Sequence, residues 1–489
     1  MITAVSVDEQ IEAADAAFAL SQNVTPRVRA SWLEAIAAAF EAHADELVAL
    51  AQTETHLGET RLRGELRRTV FQLRLYLAEI LAGENLDATI DHADPAWGMG
   101  PRPDIRRVNV PLGVVGVFGA SNFPFAFSVL GGDTASALAA GCAVVHKVHD
   151  GHLELGRRSG EIAREALRSV GAPENLLATV TGREAAEALV DHPRTRAVGF
   201  TGSTTGGRAL LDRIARRERP IPFYGELGSI NPVFATERAW AVRGDEILAA
   251  YTGSFTMGMG QFCTKPGLLF APTNRDEVAR VMGGHVAQVP RTPLLNARLR
   301  AGFDVVLAAM TATDGVEVVI QGDDADAPTP TVLMTTAAVI RANPAILEQE
   351  MFGPATLVIR YEPGEDLAEL ATLLDGQLTA SVQAETEENI AQLLSVLQDT
   401  SGRVLWNEWP TGVTVSYAQH HGGPYPATTA ERSTSVGPGA IARFMRPVAY
   451  QGFPPTHLHP ALRDENPWNI SRRIDGRWQP HGQDAGSGS

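Results

Sequence analysis

One of the two cysteines in this 489-residue sequence, Cys263, lies in a segment that suits a nucleophile. Residues 245–257 carry apolar side chains at helical spacing, and Gly258 and Gly260 then end the helical pattern. The thiol is therefore expected on a turn between a helix and a strand, where a ligand can reach it and backbone N–H groups can stabilise an anion. We predict that Cys263 is a nucleophile; the alternative is a buried structural cysteine, which is the usual state of a free thiol.

Three further polar side chains could complete a site for attack on a carbonyl group. Asn122 lies on a turn after an apolar strand and could donate its amide hydrogens to an oxyanion. Glu226 ends another strand between two glycines, where it could act as a general base; a carboxylate that caps a helix is the structural alternative. Glu350 precedes a Gly-Pro turn.

The elements that must position these groups alternate between strands and helices from Gly113 to Glu226. This alternation predicts a doubly wound α/β sheet, whose ligands bind beyond the carboxyl ends of the strands. Asn122, Lys147 and the turn at 201–203 each follow a predicted strand, so the sequence predicts a binding site at this edge. Taken alone, Lys147 could equally be a solvated lysine at a strand end.

The turn at 201–207 is the strongest candidate for a phosphate-binding loop. The first strand is not followed by a Gly-x-Gly-x-x-Gly motif, but this later turn is rich in Gly, Ser and Thr and opens a helix. Backbone N–H groups at a helix start can bind phosphate. Turns rich in Gly and Ser are common, so this signal is weak by itself.

Outside this unit the sequence predicts helices, a second α/β unit and two extra strands. The first helices are predicted at 7–20, 26–53 and 58–81. A second α/β unit starts near Trp240, with strands predicted at 268–271, 316–320, 332–334, 356–359, 380–383 and 404–406. Residues 104–110 and 441–451 are predicted as strands that lie outside both units.

Six blocks of the sequence together resemble the aldehyde dehydrogenase superfamily: 119–124, 144–147, 200–206, 226–228, 260–263 and 350–354. They occur in the family's order, and the resemblance runs from the helical start to about residue 450. It implies an α/β fold with a Rossmann-type NAD(P)-binding domain at 1–100 and 112–225 and a second α/β catalytic domain at 226–430. It also implies an oligomerisation arm at 101–111 and 438–455. Residues 479–489 are predicted to form a flexible tail.

The resemblance implies roles for the residues in these blocks. Cys263 would be the nucleophile, Asn122 and the Cys263 backbone N–H would form the oxyanion hole, and Glu226 would activate the hydrolytic water. The implied cofactor is NAD or NADP, bound by Lys147, Asp150, Gly202, Ser203, Glu350 and Phe352. Asp150 stands where many NAD-using members have Glu, and a carboxylate there repels a 2′-phosphate. Because Asp is shorter and Arg183 could lie nearby, the choice between NAD and NADP stays open.

Several features resemble one branch of the superfamily. These are Ser229-Ile230, where many members have Gly-Lys, residues 264–266 after the thiol, and the late segments 421–429 and 434–437. The branch contains α-ketoglutaric semialdehyde dehydrogenases and related NADP-using enzymes, so we predict 2,5-dioxopentanoate as the substrate. A broad-specificity or fatty aldehyde dehydrogenase is the alternative. The sequence does not indicate which arginine would bind a substrate carboxylate.

Other functions fit these residues less well. A CoA-acylating enzyme generally lacks a base like Glu226, and a non-catalytic scaffold is expected to have lost Cys263, Asn122 or Glu226. A cysteine hydrolase would need a histidine base, whereas the histidine-rich blocks lie in other segments, and His420-His421 is predicted to be structural. No metal site is predicted, because the histidines at 146, 149 and 152 do not obviously converge.

Composition limits the partners that we expect. The net charge of −16 argues against nucleic acid and anionic membranes. Two cysteines cannot build a disulfide framework, which predicts a reducing, cytoplasmic location. The first 20 residues are acidic and unlike a signal peptide, and no apolar run approaches the roughly 20 residues of a membrane span. We expect a homodimer or homotetramer that acts on a small aldehyde.

Overall fold

A computed structural model describes residues 6–323 and 325–482 of the chain. The predicted tail at 479–489 lies mostly outside the described residues, and its first residue, Gln479, ends a β-strand. The helices are α1 (Val7–Ser21), α2 (Pro26–Ala42), α3 (Ala44–Thr55), α4 (Glu59–Ala82), α5 (Gly132–Ala140), α6 (Leu153–Ser169), α7 (Arg183–Asp191), α8 (Thr204–Ala215), α9 (Glu237–Thr256), α10 (Arg275–Val286), α11 (Ala297–Thr311), α12 (Ala337–Ala342), α13 (Leu367–Ala371) and α14 (Ala391–Thr400).

The strands are β1 (Thr89–Asp91), β2 (Ile105–Pro111), β3 (Val114–Phe118), β4 (Ala143–Lys147), β5 (Leu177–Val180), β6 (Thr195–Thr201), β7 (Phe223–Glu226), β8 (Val233–Ala235), β9 (Leu268–Ala271), β10 (Glu317–Ile320), β11 (Thr331–Thr336), β12 (Ala355–Arg360), β13 (Gln377–Gln383), β14 (Ser401–Trp406), β15 (Met445–Gln451), β16 (Arg472–Ile474) and β17 (Arg477–Gln479). The predicted α/β class is therefore confirmed.

The predicted N-terminal helices are present, with one correction. The helix expected at 26–53 is two helices, α2 and α3, because His43 between them has a non-helical backbone. The apolar pattern continues across this single residue, so periodicity could not show the break. Thr25 caps the start of α2 with its side chain, and Pro26 occupies the first turn, where its missing N–H costs nothing.

The first sheet is parallel throughout and has the strand order β5-β4-β3-β6-β7. The central strand β3 is apolar and buried along its whole length, as expected for a sheet covered on both faces. Lys147 pairs with Phe118, which also pairs with Phe200, and Thr201 pairs with Glu226. This register brings Lys147, Glu226 and the turns after β3 and β6 to one edge of the sheet, as the sequence predicts.

The second sheet has the order β10-β11-β12-β9-β8-β13-β14. All its neighbours are parallel except the edge strand β10, which pairs antiparallel with β11. The short strand β8 was not predicted, because three residues are too few to show a pattern. It follows Glu226 closely in sequence and so links the first sheet to the middle of the second.

The third sheet has the order β15-β2-β1-β16-β17 and joins distant parts of the chain. The predicted strands near 104–110 and 441–451 pair with each other, antiparallel, as β2 and β15. Residues 438–444 form a 3₁₀ helix, however, so the second strand starts only at Met445. No helix among the described residues is long and apolar enough to cross a membrane.

Candidate active site

The turn that carries Cys263 is held by unusual backbone geometry. Helix α9 ends at Thr256, and Gly258, Met259 and Gly260 then adopt left-handed conformations with φ of 56°, 56° and 66°. A Cβ atom on Gly260 would lie 2.1 Å from the carbonyl oxygen of Gly353, so only glycine fits there. The thiol turn therefore packs backbone to backbone against the loop that follows Glu350.

Asn231 fixes the other side of this turn. Its buried side chain donates to the carbonyl oxygens of Cys263, at 2.8 Å, and Lys265, at 3.0 Å. Lys265 is itself buried and donates from Nζ to the carbonyl oxygens of Met351 and Ala355, at 2.7 and 2.9 Å. The thiol turn and the Glu350 loop thus form one hydrogen-bonded unit. Sequence reasoning did not identify either residue, because each acts through contacts distant in sequence.

Asn122 lies beside the thiol turn. Its Nδ2 donates to the carbonyl oxygen of Gln261 at 3.1 Å, and its backbone carbonyl oxygen accepts from Arg61 at 2.6 Å. The side chain is buried, so its amide is held in a fixed orientation. Its partner, Gln261, lies two residues before Cys263 in the sequence. The structure therefore places Asn122 beside the turn that carries Cys263.

Glu226 is the last residue of β7 and is only 5% exposed. Burial raises the pKa of its carboxyl group to about 8; Arg443 opposes this shift and Asp133 adds to it. Arg443 and Asp133 form a buried ion pair with each other. Among the described residues, Oε2 of Glu226 has no hydrogen-bond partner. A buried carboxyl group whose pKa is near neutrality is suited to proton transfer at the pH of a cell.

The Cys263 thiol lies in the field of several of these groups. Burial raises its pKa to about 12, with further increases from the negative charges of Glu226 and Glu350, while its backbone N–H and Arg403 act the other way. The thiol is thus protonated at neutral pH and needs a nearby group to help it ionise.

His421 is a candidate for that help. The sequence predicts a structural role for this residue, but the structure places its side chain next to the thiol. Its Nε2 atom lies 3.7 Å from Cys263 Sγ, although 158 residues separate the two in sequence. Burial lowers the pKa of His421 to about 3, as do the charges of Arg403 and Arg68, so the ring is neutral. A neutral imidazole can accept a hydrogen bond from a thiol or donate one to a thiolate.

The residues predicted to bind a cofactor lie at the carboxyl edge of the first sheet and on the Glu350 loop. Lys147 Nζ forms an ion pair with Asp150 Oδ1 at 2.8 Å. Ser203 caps α8 by accepting from the backbone N–H of Gly206, and the N–H of Gly202 donates to the Glu226 carbonyl at 3.1 Å. The turn after β6 is thus tied directly to the candidate base.

The Glu350 loop faces this turn. A Cβ atom on Gly228 would lie 2.6 Å from the Glu350 carboxylate and 3.0 Å from Thr204 Oγ1, so the two segments meet closely at Gly228. Burial raises the pKa of Glu350, and the positive charge of Lys265 opposes the shift. Phe352 is partly exposed on the same loop.

One face of helix α4 forms the remaining wall of the site. Arg61, Glu65 and Arg68 follow each other at spacings of four and three residues, which places them on one face. Glu65 Oε1 accepts from the N–H groups of Phe125 and Ala126 at 2.8 and 2.9 Å, so it holds the turn after Asn122. Sequence reasoning did not identify these three residues. The signal that could have found them is their position on the buried side of an amphipathic helix.

The histidines near β4 serve the local fold. His146 bonds to Thr134, His152 to the Ala120 carbonyl, and His149 accepts from the N–H of Gly151. Within residues 6–323 and 325–482, no three His, Cys, Asp or Glu side chains are grouped in a way that could hold a metal ion.

Comparisons with known proteins match nearly the whole chain. The model of the aldehyde dehydrogenase family matches residues 1–424. α-Ketoglutaric semialdehyde dehydrogenase 2 of Azospirillum brasilense is 43% identical over 92% of this chain and 87% of its own length. α-Ketoglutaric semialdehyde dehydrogenase of Acinetobacter baylyi is 38% identical over 96% of this chain and 91% of its own length.

A similar fold occurs among solved structures. A mutant of proline utilization A from Bradyrhizobium japonicum superposes with a TM-score of 0.76 at 26% identity, over 92% of this chain. This chain spans 45% of that longer protein.

Proposed function

The chain belongs to the aldehyde dehydrogenase family, and we propose that it oxidises 2,5-dioxopentanoate (α-ketoglutaric semialdehyde) to the carboxylate with NAD⁺ or NADP⁺ and water. The observation that carries the chemistry is the meeting of a thiol, a fixed amide and a buried carboxyl group at Cys263, Asn122 and Glu226. The substrate rests on the two relatives that carry its name and are 43% and 38% identical to this chain.

Acylation begins when Cys263 gives its proton to water, while His421 lies 3.7 Å from the sulfur and can donate a hydrogen bond to the thiolate. The thiolate attacks the aldehyde carbon, and the oxygen becomes an alkoxide that Asn122 Nδ2 and the Cys263 N–H stabilise. Removing one such donor typically costs about 10²–10³ in rate. NAD(P)⁺, when bound, supplies the hydride acceptor that turns this adduct into a thioester.

Deacylation requires a water molecule and a base. Glu226 takes a proton from the water that attacks the thioester, since its pKa of about 8 leaves a useful fraction ionised near neutral pH. The product leaves as a carboxylate, and the sulfur is released. A base at this position favours hydrolysis over transfer to CoA.

The residues present fit a dinucleotide. The turn at Gly202 and Ser203 opens α8 at the carboxyl edge of a parallel sheet, where phosphates bind. Lys147 and Asp150 would hold the adenosine ribose, Glu350 would hold the nicotinamide ribose, and Phe352 would lie against the nicotinamide end. Asp150 would favour NAD. Its carboxylate pairs with Lys147 but stays mostly exposed, so NAD and NADP are both candidates.

Absorbance at 340 nm tests this proposal. Purified enzyme with NAD⁺ or NADP⁺ and 2,5-dioxopentanoate, without CoA, should form NAD(P)H, whereas Cys263→Ala should form none. Hexanal serves as the comparison for a fatty aldehyde dehydrogenase. A kcat/KM for hexanal well above that for 2,5-dioxopentanoate would reject the substrate, and a requirement for CoA would reject the hydrolytic reaction.

The assembly and location belong to the same proposal. Strand β15 is an edge of the third sheet, and most of its residues are exposed or partly exposed. Exposed edges are commonly covered by another chain, which favours a homodimer or homotetramer. We keep the cytoplasmic location as a proposal, on the ground that both cysteines are free.

A further inference from the structure

Arg68 is a half-buried arginine whose two terminal nitrogens are not used by the fold. Its Nε donates to the carbonyl oxygen of Val413 at 3.3 Å. Neither of its two terminal nitrogens has a hydrogen-bond partner in the part of the chain that the structure describes, although both are shielded from solvent. Burying charged donors without partners is costly, so such an arrangement needs a reason outside the fold.

A chain of side-chain contacts connects Arg68 to the thiol. Its guanidinium is 5.4 Å from the centre of the Phe127 ring, and that ring is 5.9 Å from the ring of His421. His421 in turn lies 3.7 Å from Cys263 Sγ. Burial lowers the pKa of Arg68, and the negative forms of Glu65, Tyr76 and Cys263 oppose the shift, which also places Arg68 within the field of the thiol.

Each of the other arginines near the site uses at least one terminal nitrogen within the fold, whereas Arg68 uses neither; Nη1 of Arg61 and both Nε and Nη1 of Arg443 also have no hydrogen-bond partner among the described residues. Arg61 donates to the Asn122 carbonyl and lies over the rings of Phe123 and Phe262, at 5.2 and 4.6 Å. Arg403 donates from both terminal nitrogens to carbonyl oxygens at 410 and 412, and Arg443 is paired with Asp133. Arg68 forms no ion pair within 4.0 Å among the described residues; the nearby Glu65 directs Oε1 to backbone N–H groups, and its Oε2 has no hydrogen-bond partner among them.

We propose that Arg68 binds the carboxylate at the far end of the aldehyde substrate and so makes the enzyme selective for short carboxylated semialdehydes. The two terminal nitrogens of a guanidinium match the two oxygens of a carboxylate. In 2,5-dioxopentanoate the aldehyde and carboxylate carbons are about 5 Å apart when the chain is extended, by ordinary bond lengths. The proposal therefore requires that a substrate of this length reach from Cys263 to the terminal nitrogens of Arg68.

This inference rests on the proposed function, and one set of assays separates the two. The kcat/KM for 2,5-dioxopentanoate is compared with that for pentanal, which has the same number of carbons and no charge, in the wild type and in Arg68→Gln. Arg67→Gln is the matched control, because Arg67 is the neighbouring arginine on α4 and faces solvent. Inhibition by 2-oxoglutarate, which keeps the distal carboxylate, gives a binding readout that does not depend on turnover.

Arg68→Gln should lower the preference for 2,5-dioxopentanoate over pentanal about 10²–10³-fold, as expected for loss of a buried charge partner. The loss should be far larger for the charged substrate than for pentanal, and inhibition by 2-oxoglutarate should weaken in parallel. Arg67→Gln should match the wild type in every assay.

Two results would overturn the inference in different ways. A wild-type preference that survives in Arg68→Gln, or an equal loss for both substrates, would remove Arg68 from substrate selection and leave the proposed function standing. A wild type with no preference for the carboxylated aldehyde would reject both. If Arg68→Gln does not fold, Arg68→Lys replaces it: a tenfold smaller preference supports the paired hydrogen bonds, and an unchanged preference rejects them.

Discussion

Replacing Glu226 with Gln should separate the two halves of the reaction. Gln keeps the shape of the side chain but cannot accept a proton from water. Acylation should proceed and give a burst of NAD(P)H near one equivalent per active subunit. Deacylation should slow by about 10²–10⁴, the usual contribution of a general base. Rapid mixing measures the burst and the steady rate, and mass spectrometry should find the acyl group on Cys263.

The pH dependence of the wild type gives a second measure of the same group. With a pKa of about 8, about one tenth of Glu226 is ionised at pH 7. The deacylation rate should therefore rise about tenfold per pH unit below 8 and level off above about 9. Glu226→Gln should lose this dependence.

The same carboxyl group should also affect stability. Its folded pKa of about 8 exceeds its ordinary value of 4.5, because burial disfavours the ionised form. The free energy of unfolding is therefore highest below pH 4.5 and falls as the pH rises from 4.5 to about 8. Above pH 8 it is lower by at most about 5 kcal/mol. Glu226→Gln should match the wild type in urea unfolding at pH 5 and exceed it by about 3–5 kcal/mol at pH 9.

Glu79 offers a matched control for this experiment. It is another buried carboxyl group, on α4, whose pKa burial raises to about 7, with a further increase from Glu84. Glu79→Gln should gain stability at high pH as well but keep normal turnover.

If Glu226→Gln turns over normally, another residue is the base. If it gives no burst, Glu226 is also needed to deprotonate the thiol. Equal stability of Glu226→Gln and the wild type at pH 9 would show that Glu226 is not the buried acid described here.

Three further predictions follow from the site and the third sheet. Asp150→Ala should weaken NAD⁺ binding more than NADP⁺ binding in fluorescence titrations, because a carboxylate there accepts from a 2′-hydroxyl and repels a 2′-phosphate; an equal loss would exclude that role. His421→Phe should slow alkylation of Cys263 by iodoacetamide at pH 7 about tenfold, the effect of losing one hydrogen bond to a thiolate, while His420→Phe should not. Light scattering at micromolar concentration should show a dimer or tetramer, because the β15 edge needs a partner; a monomer would contradict this.

The parts of the site that the sequence predicts share a local signal. Cys263 follows two glycines that the structure shows in left-handed conformations, and Glu226 is the last residue of a strand beside a glycine. The carboxyl edge of the first sheet follows from the alternation of apolar strands and helices alone. In each case the signal and the residue lie within a few positions of each other.

The parts that the sequence does not predict depend on contacts between distant segments. His421 reaches Cys263 across 158 residues, and nothing around His421 indicates a thiol as its partner. Strands β1, β8, β16 and β17 have three residues each, which is too short for an alternating pattern. Their pairing is decided by the arrangement of the larger elements.

Helix α4 shows why the substrate side of such a site is the hardest to predict. Its apolar positions alone explain a helix packed on a core, so the sequence does not require its charged residues to reach a site. In the structure Arg61 contacts Asn122, Glu65 contacts Phe125 and Arg68 contacts Val413, so three charged residues on one face reach two separate loops. Two of these contacts fix the turn that carries the oxyanion donor. The third uses only Nε of Arg68 and leaves both terminal nitrogens without a partner among the described residues. Substrate selection would depend on these two nitrogens.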